Sequence, residues 1–153
     1  DELFGDNVVG VINVGTNPES NLKAIEQAAH FEGMYAAVGI HPTDMASVRM
    51  SLEDMVESVR ALALEREKNK IVAIGEIGLD DYWEPYDKEH QRFFFEEQMK
   101  LAEKYDLPVI IHDREAHGDC FDVACKFKNV KGVFHSYSGS AEMAAELVKY
   151  GIL

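Results

Sequence analysis

Basic side chains are scarce in this sequence. Lysine and arginine together number 15 against 28 aspartate and glutamate residues, which gives a formal net charge of −13 at pH 7. Proteins that bind nucleic acid through an extended surface neutralise many phosphates with basic side chains, and this composition argues against such a surface. Any contact with a phosphate group must therefore be local or depend on a bound metal ion.

Cysteine and long apolar segments are also rare. The two cysteines, Cys120 and Cys125, are five positions apart on a predicted helix. This spacing is typical of neither a disulfide framework nor a zinc site, so we expect reduced, buried thiols. No apolar run approaches the roughly 18 residues of a membrane span, and the N-terminus lacks the charged-then-apolar pattern of a secretion signal. These absences predict a cytoplasmic location and no membrane partner.

The length and the apolar content set the size of the fold. A chain of 153 residues with 46% hydrophobic residues can form one globular domain with its own core, so we expect a single domain over residues 1–153. The sequence begins with Asp1 rather than methionine, and it stops at Leu153 soon after an apolar segment begins. We therefore expect it to be an internal piece of a longer protein.

Short apolar runs alternate with longer amphipathic segments along the whole chain. The runs are rich in β-branched residues and are apolar almost continuously, which is typical of strands covered on both faces in a parallel sheet. The predicted strands are Val8–Val14, Tyr35–Ile40, Ile71–Ile77, Val109–Ile111 with its flanks, and Gly132–Phe134 with its flanks. With the helices between them they make five strand–helix units, an α/β fold.

The predicted helices carry local start signals. The first begins at Asn17-Pro18, and its expected inward face consists of Leu22, Ile25, Ala28 and Ala29. The other three start signals are N-capping residues, namely Ser51, Asp87 and Ser140.

Polar residues of metal-binding type stand at or near the ends of the later strands. They are His41, Glu76, His112 and His135. The carboxyl ends of parallel strands open onto one side of the sheet, so these side chains are expected to converge.

Each of these residues alone has a simpler interpretation. A single histidine such as His112 or His135 is more often a hydrogen-bonded core residue than a ligand. Glu76 lies within an apolar run, residues 73–78, where an unpaired charge is costly, so it needs a cation, a donor network or a metal. Taken together, nitrogen and oxygen donors from separate strands favour a catalytic metal site formed by Glu76, His112 and His135. His117, predicted in a neighbouring loop, fits either reading.

Three charged residues follow the candidate ligands closely. Asp80 and Asp113 are placed to orient a ligating imidazole, although a carboxylate that caps a loop is an equally good explanation. Arg114 offers a planar fork to a phosphate, and a surface salt bridge explains it as simply.

Four segments that contain these residues also resemble the TatD family of metal-dependent deoxyribonucleases. They occur in the order and spacing of that family across nearly the whole chain. They are Gly39-Ile40-His41-Pro42, Ala73-Ile74-Gly75-Glu76-Ile77-Gly78-Leu79-Asp80, Leu107-Pro108-Val109-Ile110-Ile111-His112-Asp113-Arg114 and Gly132-Val133-Phe134-His135-Ser136-Tyr137-Ser138-Gly139-Ser140. Several signatures in register are far more specific than one short motif.

The resemblance implies a fold and a reaction. The fold would be a partial TIM (β/α)₈ barrel whose five units correspond to strands 2 to 6 of eight. The reaction would be divalent-metal-dependent hydrolysis of DNA, commonly exonucleolytic. Glu76 would contact or bridge two metal ions, with His112 and His135 completing one of them. Asp80 and Arg114 would assist catalysis, and His41, Asp113 and Ser138 would contact the substrate or support the ligands.

The sequence departs from the family pattern at the second metal. The family takes a His-x-His pair from its first strand and an aspartate from its last, and neither is present here. Because a closed barrel needs about 200 residues or more, the missing strands would have to come from the parent chain. After Gly78-Leu79 this chain has two acids, Asp80 and Asp81, and we favour Asp80 as the functional one.

Several alternatives remain open from the sequence. Histidine and carboxylate ligands suit magnesium, manganese or zinc. A related amidohydrolase-like enzyme acting on a carbonyl or ester substrate, such as an aminoacyl-tRNA deacylase, is the alternative activity, and an inactive fragment of the barrel is the non-enzymatic one. An open doubly wound sheet is the alternative fold.

Overall fold

The computed structural model describes residues 7–153. Strands and helices alternate through this part of the chain, as the hydrophobic pattern predicts. In chain order the elements are β1 (Val11–Val14), α1 (Pro18–His30), β2 (Met34–Val38), α2 (Leu52–Leu64), β3 (Ile71–Asp80), α3 (Lys88–Tyr105), β4 (Val109–Arg114), α4 (His117–Ala124), β5 (Gly132–Phe134) and α5 (Ala141–Lys149). A 3₁₀ turn, Met45–Ser47, lies between β2 and α2.

The five strands form one parallel sheet in the order β1-β2-β3-β4-β5. In a doubly wound sheet the strand order reverses at a switch point, whereas in a (β/α) barrel each strand lies beside the next one along the chain. The sequential order therefore excludes the doubly wound alternative for the described residues. It confirms the prediction of a partial barrel of five βα units.

The predicted helix starts are confirmed. In each case the side chain of the capping residue accepts a hydrogen bond from the backbone N–H three residues later, which satisfies an otherwise unpaired donor. The caps are Asn17 of α1, Ser51 of α2, Asp87 of α3 and Ser140 of α5.

The predicted inward face of α1 is wrong in part. Ala28 is buried, but Leu22 is 60% exposed, and the other buried residues are Asn21 and Ala24. Asn21 donates to the carbonyl oxygen of Gly39 at 3.0 Å and accepts from its N–H at 3.1 Å. These two bonds hold the polar Asn21 face against the sheet, which turns Leu22 outwards.

The third strand is longer than predicted, and the fourth includes the flank that follows its apolar run. β3 continues to Asp80 and β4 to Arg114, and their register pairs Gly78 with His112 and Asp80 with Arg114. The charged ends of these segments therefore lie on strands rather than in loops. His117, predicted in a loop, is the first residue of α4.

Helix α3 contributes most to the core. Phe94, Phe95 and Met99 are almost completely buried and pack on the sheet side of this helix. Within residues 7–153 no helix has both the length and the apolar character needed to cross a membrane.

Candidate metal centre

Three side chains from neighbouring strands converge at the carboxyl side of the sheet. One possible ligand atom from each of His41, Glu76 and His112 lies within 4.8 Å of the corresponding atoms of the other two. The Glu76 carboxylate is 3.1 Å from His112 Nδ1 and 3.8 Å from His41 Nε2, and the two imidazole rings meet edge to face at 4.2 Å. Two imidazoles and one carboxylate are a donor set that fits a divalent transition metal or magnesium.

Small residues allow the strands that carry these ligands to approach each other closely. A Cβ atom on Gly39 would lie 2.9 Å from the backbone of Gly75, and one on Gly75 would lie 2.7 Å from Ile110. The absence of these Cβ atoms lets β3 pack between the end of β2 and β4. This brings Glu76 close to both histidines.

Two buried glutamines of α3 hold the backbone beside the site. Gln98 accepts from the Ile40 N–H at 2.7 Å and donates to the Ile40 carbonyl at 3.1 Å, directly before His41. Gln91, two turns earlier, makes the same pair of bonds with the backbone of Asp80, at 2.8 and 2.9 Å. Each amide thus replaces a missing strand neighbour. Sequence patterns did not predict this role of Gln91 and Gln98, although two glutamines seven residues apart on an apolar helix face are a usable signal.

Asp80 supports His112 from behind. Its Oδ2 lies 2.8 Å from His112 Nε2, while Nδ1 of the same ring faces Glu76. An acceptor on one imidazole nitrogen fixes the ring and leaves the other nitrogen available to a metal. Asp81, in contrast, pairs with Lys88, so the geometry favours Asp80 over Asp81.

The three central groups influence one another's ionisation. Burial disfavours the charged form of His112, but hydrogen bonds to Glu76 and Asp80 outweigh it and raise its pKa above the usual 6.5. Burial likewise opposes ionisation of Glu76 and Asp80. For both carboxylates the hydrogen bond to His112 is the main effect that opposes burial, and for Asp80 two backbone donors add to it. The net effect places both pKa values below their usual range.

The pKa of His41 is shifted in the opposite direction from that of His112. Burial, reinforced by the charge of His112, lowers the pKa of His41 below its usual value. Its Nδ1 lies 2.8 Å from the Thr43 hydroxyl, which leaves Nε2 facing Glu76. The Thr43 backbone N–H donates to the same Nδ1 at 3.2 Å. His41 therefore contributes Nε2 to the cluster from a ring in which burial favours the neutral form. The sequence assigned His41 to the substrate or supporting shell, and the structure places it inside the cluster.

The wider site is a cleft of about 570 Å³, which we call the metal cleft. Its lining includes the three central residues and most of the other predicted site residues. The full lining consists of His41, Glu76, His112, Asp113, Arg114, Glu115, His135, Ser136 and Ser138. His135 therefore faces the same cleft as Glu76 and His112, outside the tight group of three. Its role as a ligand stays a prediction.

Asp113 contacts a different histidine. Its Oδ2 lies 2.7 Å from His117 Nδ1, and its buried Oδ1 has no hydrogen-bond partner among residues 7–153. The Asp113 side chain is 1% exposed while that of His117 is 34% exposed. Asp113 therefore orients His117, and it forms no hydrogen bond or ion pair with the His112 ring.

The predicted buried thiol is confirmed for Cys120, and Cys125 is half-buried; both are free. The Cys120 thiol packs behind β4, with Sγ 3.7 Å from the His112 carbonyl oxygen. Burial raises its pKa well above the usual range. A thiol in this state is a poor nucleophile and a poor metal ligand, so Cys120 acts as packing behind the site.

Arg114 stacks on aromatic side chains. Its guanidinium carbon lies 4.0 Å from the centre of the Tyr82 ring and 5.5 Å from that of Trp83. No carboxylate within the described part of the chain forms an ion pair with it. The salt-bridge explanation of Arg114 is therefore not supported, and Arg114 lines the cleft that also contains the candidate ligands.

Comparisons with known proteins agree with this geometry. Residues 2–153 match the family model described as TatD related DNase. The chain is 37% identical over 144 residues to the uncharacterized metal-dependent hydrolase YjjV of Escherichia coli, covering 92% of this chain and 53% of that protein. The crystal structure of YjjV is similar to this fold with a TM-score of 0.83 at 35% identity, covering 94% of this chain and 54% of the other.

Two further relatives have nuclease names. Deoxyribonuclease Tat-D of Schizosaccharomyces pombe is 34% identical over 151 residues, covering 90% of this chain and 47% of the relative. The 3'-5' ssDNA/RNA exonuclease TatD of Cronobacter sakazakii is 32% identical over 150 residues, with coverages of 95% and 54%. The chain thus spans about half the length of the curated relatives it matches. On the match of the family model to nearly all of its residues, the chain belongs to the TatD related DNase family.

Proposed function

We propose that this chain forms part of a divalent-metal-dependent hydrolase that cleaves phosphodiester bonds of DNA. The observation that carries the proposal is the cluster of His41, Glu76 and His112, with Asp80 behind His112. The nuclease names of two relatives support a nucleic-acid substrate over the carbonyl or ester substrates of the amidohydrolase alternative. Exonucleolytic action is the finer part of the proposal.

The residues of the cluster would hold the metal. His41 Nε2, a Glu76 oxygen and His112 Nδ1 point to a common centre, while Asp80 keeps His112 Nε2 engaged. A bound divalent ion supplies an activated water and neutralises charge on the phosphodiester. We propose magnesium, manganese or zinc as the ion. Glu76 and His135 would also contribute to a site for a second metal ion.

The surrounding residues would position the phosphodiester. Arg114 offers unpaired guanidinium donors to a phosphate oxygen, and the Ser138 hydroxyl lies in the same cleft. His117, oriented by Asp113, is placed to exchange a proton at the side of the cleft. Because few basic residues are available, the metal would meet most of the phosphate charge, in agreement with the net charge of −13.

Replacing Glu76 tests the proposal. In Glu76→Ala the carboxylate that faces both histidines is lost, so hydrolysis of single-stranded DNA should fall to the level of protein treated with a chelator. Glu53→Ala removes an exposed carboxylate on α2 and should leave hydrolysis unchanged. A folded Glu76→Ala protein, verified by circular dichroism, that keeps wild-type hydrolysis would refute the proposed mechanism.

Three further expectations from the sequence stay predictions. They are a single domain over residues 1–153, a cytoplasmic location, and a requirement for additional strands from a longer parent chain.

A further inference from the structure

A second cleft of about 500 Å³ lies directly beside the metal cleft, and we call it the apolar cleft. Its apolar walls are formed chiefly by Pro42, Met45, Trp83, Pro85 and Phe94. Two pairs of neighbouring residues connect the linings of the two clefts. His41 lines the metal cleft and its neighbour Pro42 lines the apolar cleft, while Arg114 of the metal cleft contacts Trp83 of the apolar cleft. One extended ligand can therefore enter both clefts.

Trp83 presents an open aromatic surface to the apolar cleft. It is 57% exposed, and its ring meets the Tyr82 ring edge to face at 4.9 Å. Tyr82 carries the Arg114 guanidinium on its ring at 4.0 Å, so that surface is already covered. A large exposed aromatic ring beside a cleft is suited to stack on another flat ring.

The aromatic pair is held in a fixed position relative to the metal ligands. Asp80 Oδ1 accepts hydrogen bonds from the backbone N–H groups of Tyr82 and Trp83, at 3.0 and 3.1 Å. The other oxygen of the same carboxylate bonds His112. A ligand that stacks on Trp83 is thereby placed at a set distance from the metal site.

The charges around the two clefts favour different ligand groups, a neutral ring in the apolar cleft and a phosphate near Arg114. The apolar cleft contains the carboxylates Glu84 and Asp87 and, among its described lining residues, no lysine or arginine. It therefore disfavours a phosphate but accepts a neutral ring. Arg114, without a carboxylate partner among residues 7–153, favours a phosphate on the other side of Trp83.

We propose that the apolar cleft is a nucleobase-binding subsite, in which the base next to the scissile phosphodiester stacks on Trp83 while Arg114 contacts the adjoining phosphate. The inference rests on the proposed function, and it adds how the substrate is held. Since stacking needs only a flat ring, the subsite should accept different bases and reject a sugar–phosphate chain that has none.

Trp83 is the only tryptophan in the 153-residue sequence, so its fluorescence reports on the subsite directly. We would titrate the purified protein with Mg²⁺ and a four-nucleotide single-stranded DNA with phosphorothioate linkages, which resist hydrolysis. Stacking should quench the Trp83 emission in a saturable manner. An abasic chain of the same length and charge should not quench it. Equal quenching by both chains, or by neither, would overturn the subsite.

Variants at Trp83 extend the test to substrate affinity. Trp83→Ala should weaken binding of the base-carrying chain about ten-fold or more, measured by anisotropy of a labelled oligonucleotide, and Trp83→Phe should restore most of it. Phe31→Ala removes a similarly exposed aromatic near the amino end of β2 and should change nothing. Unchanged affinity in a folded Trp83→Ala protein would overturn the proposal.

Hydrolysis assays separate this inference from the proposed function. Wild-type protein should cleave the base-carrying chain with a lower KM than the abasic chain, and Trp83→Ala should abolish that difference in KM. Failure of the parent protein, with all of its strands, to cleave either chain with any divalent ion would reject the proposed function, and the fluorescence titration would still decide the subsite. Cleavage of both chains with equal KM by wild-type protein would reject the subsite alone.

Discussion

Asp80 links the two parts of the proposed site. One of its oxygens holds the His112 ring and the other holds the backbone of Tyr82 and Trp83. The residue is 1% exposed, and its pKa lies below the usual range because these donors outweigh the effect of burial. A single buried carboxylate therefore positions both a metal ligand and the aromatic pair.

Asp80→Asn should weaken metal binding about 10- to 100-fold, as is typical when the acceptor behind a ligating imidazole is lost. The asparagine oxygen still accepts from the Tyr82 and Trp83 backbone, so the fold should be retained. Asp81→Asn is the matched control, because Asp81 pairs only with the exposed Lys88, and it should bind metal as the wild type does. Calorimetric titration with Mn²⁺ measures both. Equal losses in the two variants would show that Asp80 has no particular role.

Metal affinity should fall as the pH is lowered. A metal ion must displace the proton held on His112, whose pKa is raised above 6.5, whereas His41, with a lowered pKa, is already neutral. Below the pKa of His112 the affinity should drop about ten-fold per pH unit, the slope for one displaced proton. Calorimetric titrations between about pH 5.5 and 8, the range in which histidine side chains usually titrate, test this prediction. A flat profile would contradict the assignment of His112 as a ligand.

The sequence identified most of the residues that meet in the metal cleft. It did not predict which of them form the tight group of three. Glu76 and His112 were recognised because polar ligands stand out at the ends of apolar runs. His41 ends such a run in the same way, yet the residue pattern favoured Glu76, His112 and His135 as the ligand set. The distance between side chains depends on how far β2, β3 and β4 are shifted along one another, and strand composition does not encode that shift.

At the scale of elements, local signals predicted where helices begin, but they did not predict where the strands end. Capping residues such as Ser51 and Asp87 act within one helical turn, so the sequence alone is sufficient to place them. β3 and β4 extend beyond their apolar runs because the polar residues at their ends are paired across strands, Leu79 with Asp113 and Asp80 with Arg114. Such pairing is a property of the folded sheet.

The glutamines of α3 give an element-scale prediction. Gln98→Ala leaves the buried N–H and C=O of Ile40 without partners, so the free energy of unfolding should fall by about 1–3 kcal/mol. Metal affinity should fall as well, since His41 follows Ile40 directly. Gln27→Ala, an exposed position on α1, should change stability by less than about 0.5 kcal/mol. Urea denaturation measures both variants, and similar midpoints for the two would contradict this role of Gln98.

At the scale of the whole molecule, the sheet has one protected and one open side. Residues 151–153 continue beyond β5 and bond to it, with Phe134 N–H donating to the Leu153 carbonyl at 2.7 Å and Leu153 N–H to the Gly132 carbonyl at 2.9 Å. On the other side β1 pairs with β2, and no strand among residues 7–153 covers its outer edge. Exposed apolar side chains are present nearby, with Ile12 at 47% and its register partner Tyr35 at 39%.

A polypeptide limited to residues 1–153 should therefore self-associate through the edge of β1, because an unpaired strand edge beside apolar side chains is a template for pairing with another chain. Ile12→Lys places a charge on that strand, which discourages edge pairing, and should shift the molecule towards monomer. Val148→Lys is the matched control. It makes the same change in charge at an apolar residue that is 56% exposed, but on helix α5. Sedimentation at increasing protein concentration measures the association. Monomeric behaviour of the unmodified polypeptide, or equal effects of the two lysines, would show that the edge of β1 does not drive association.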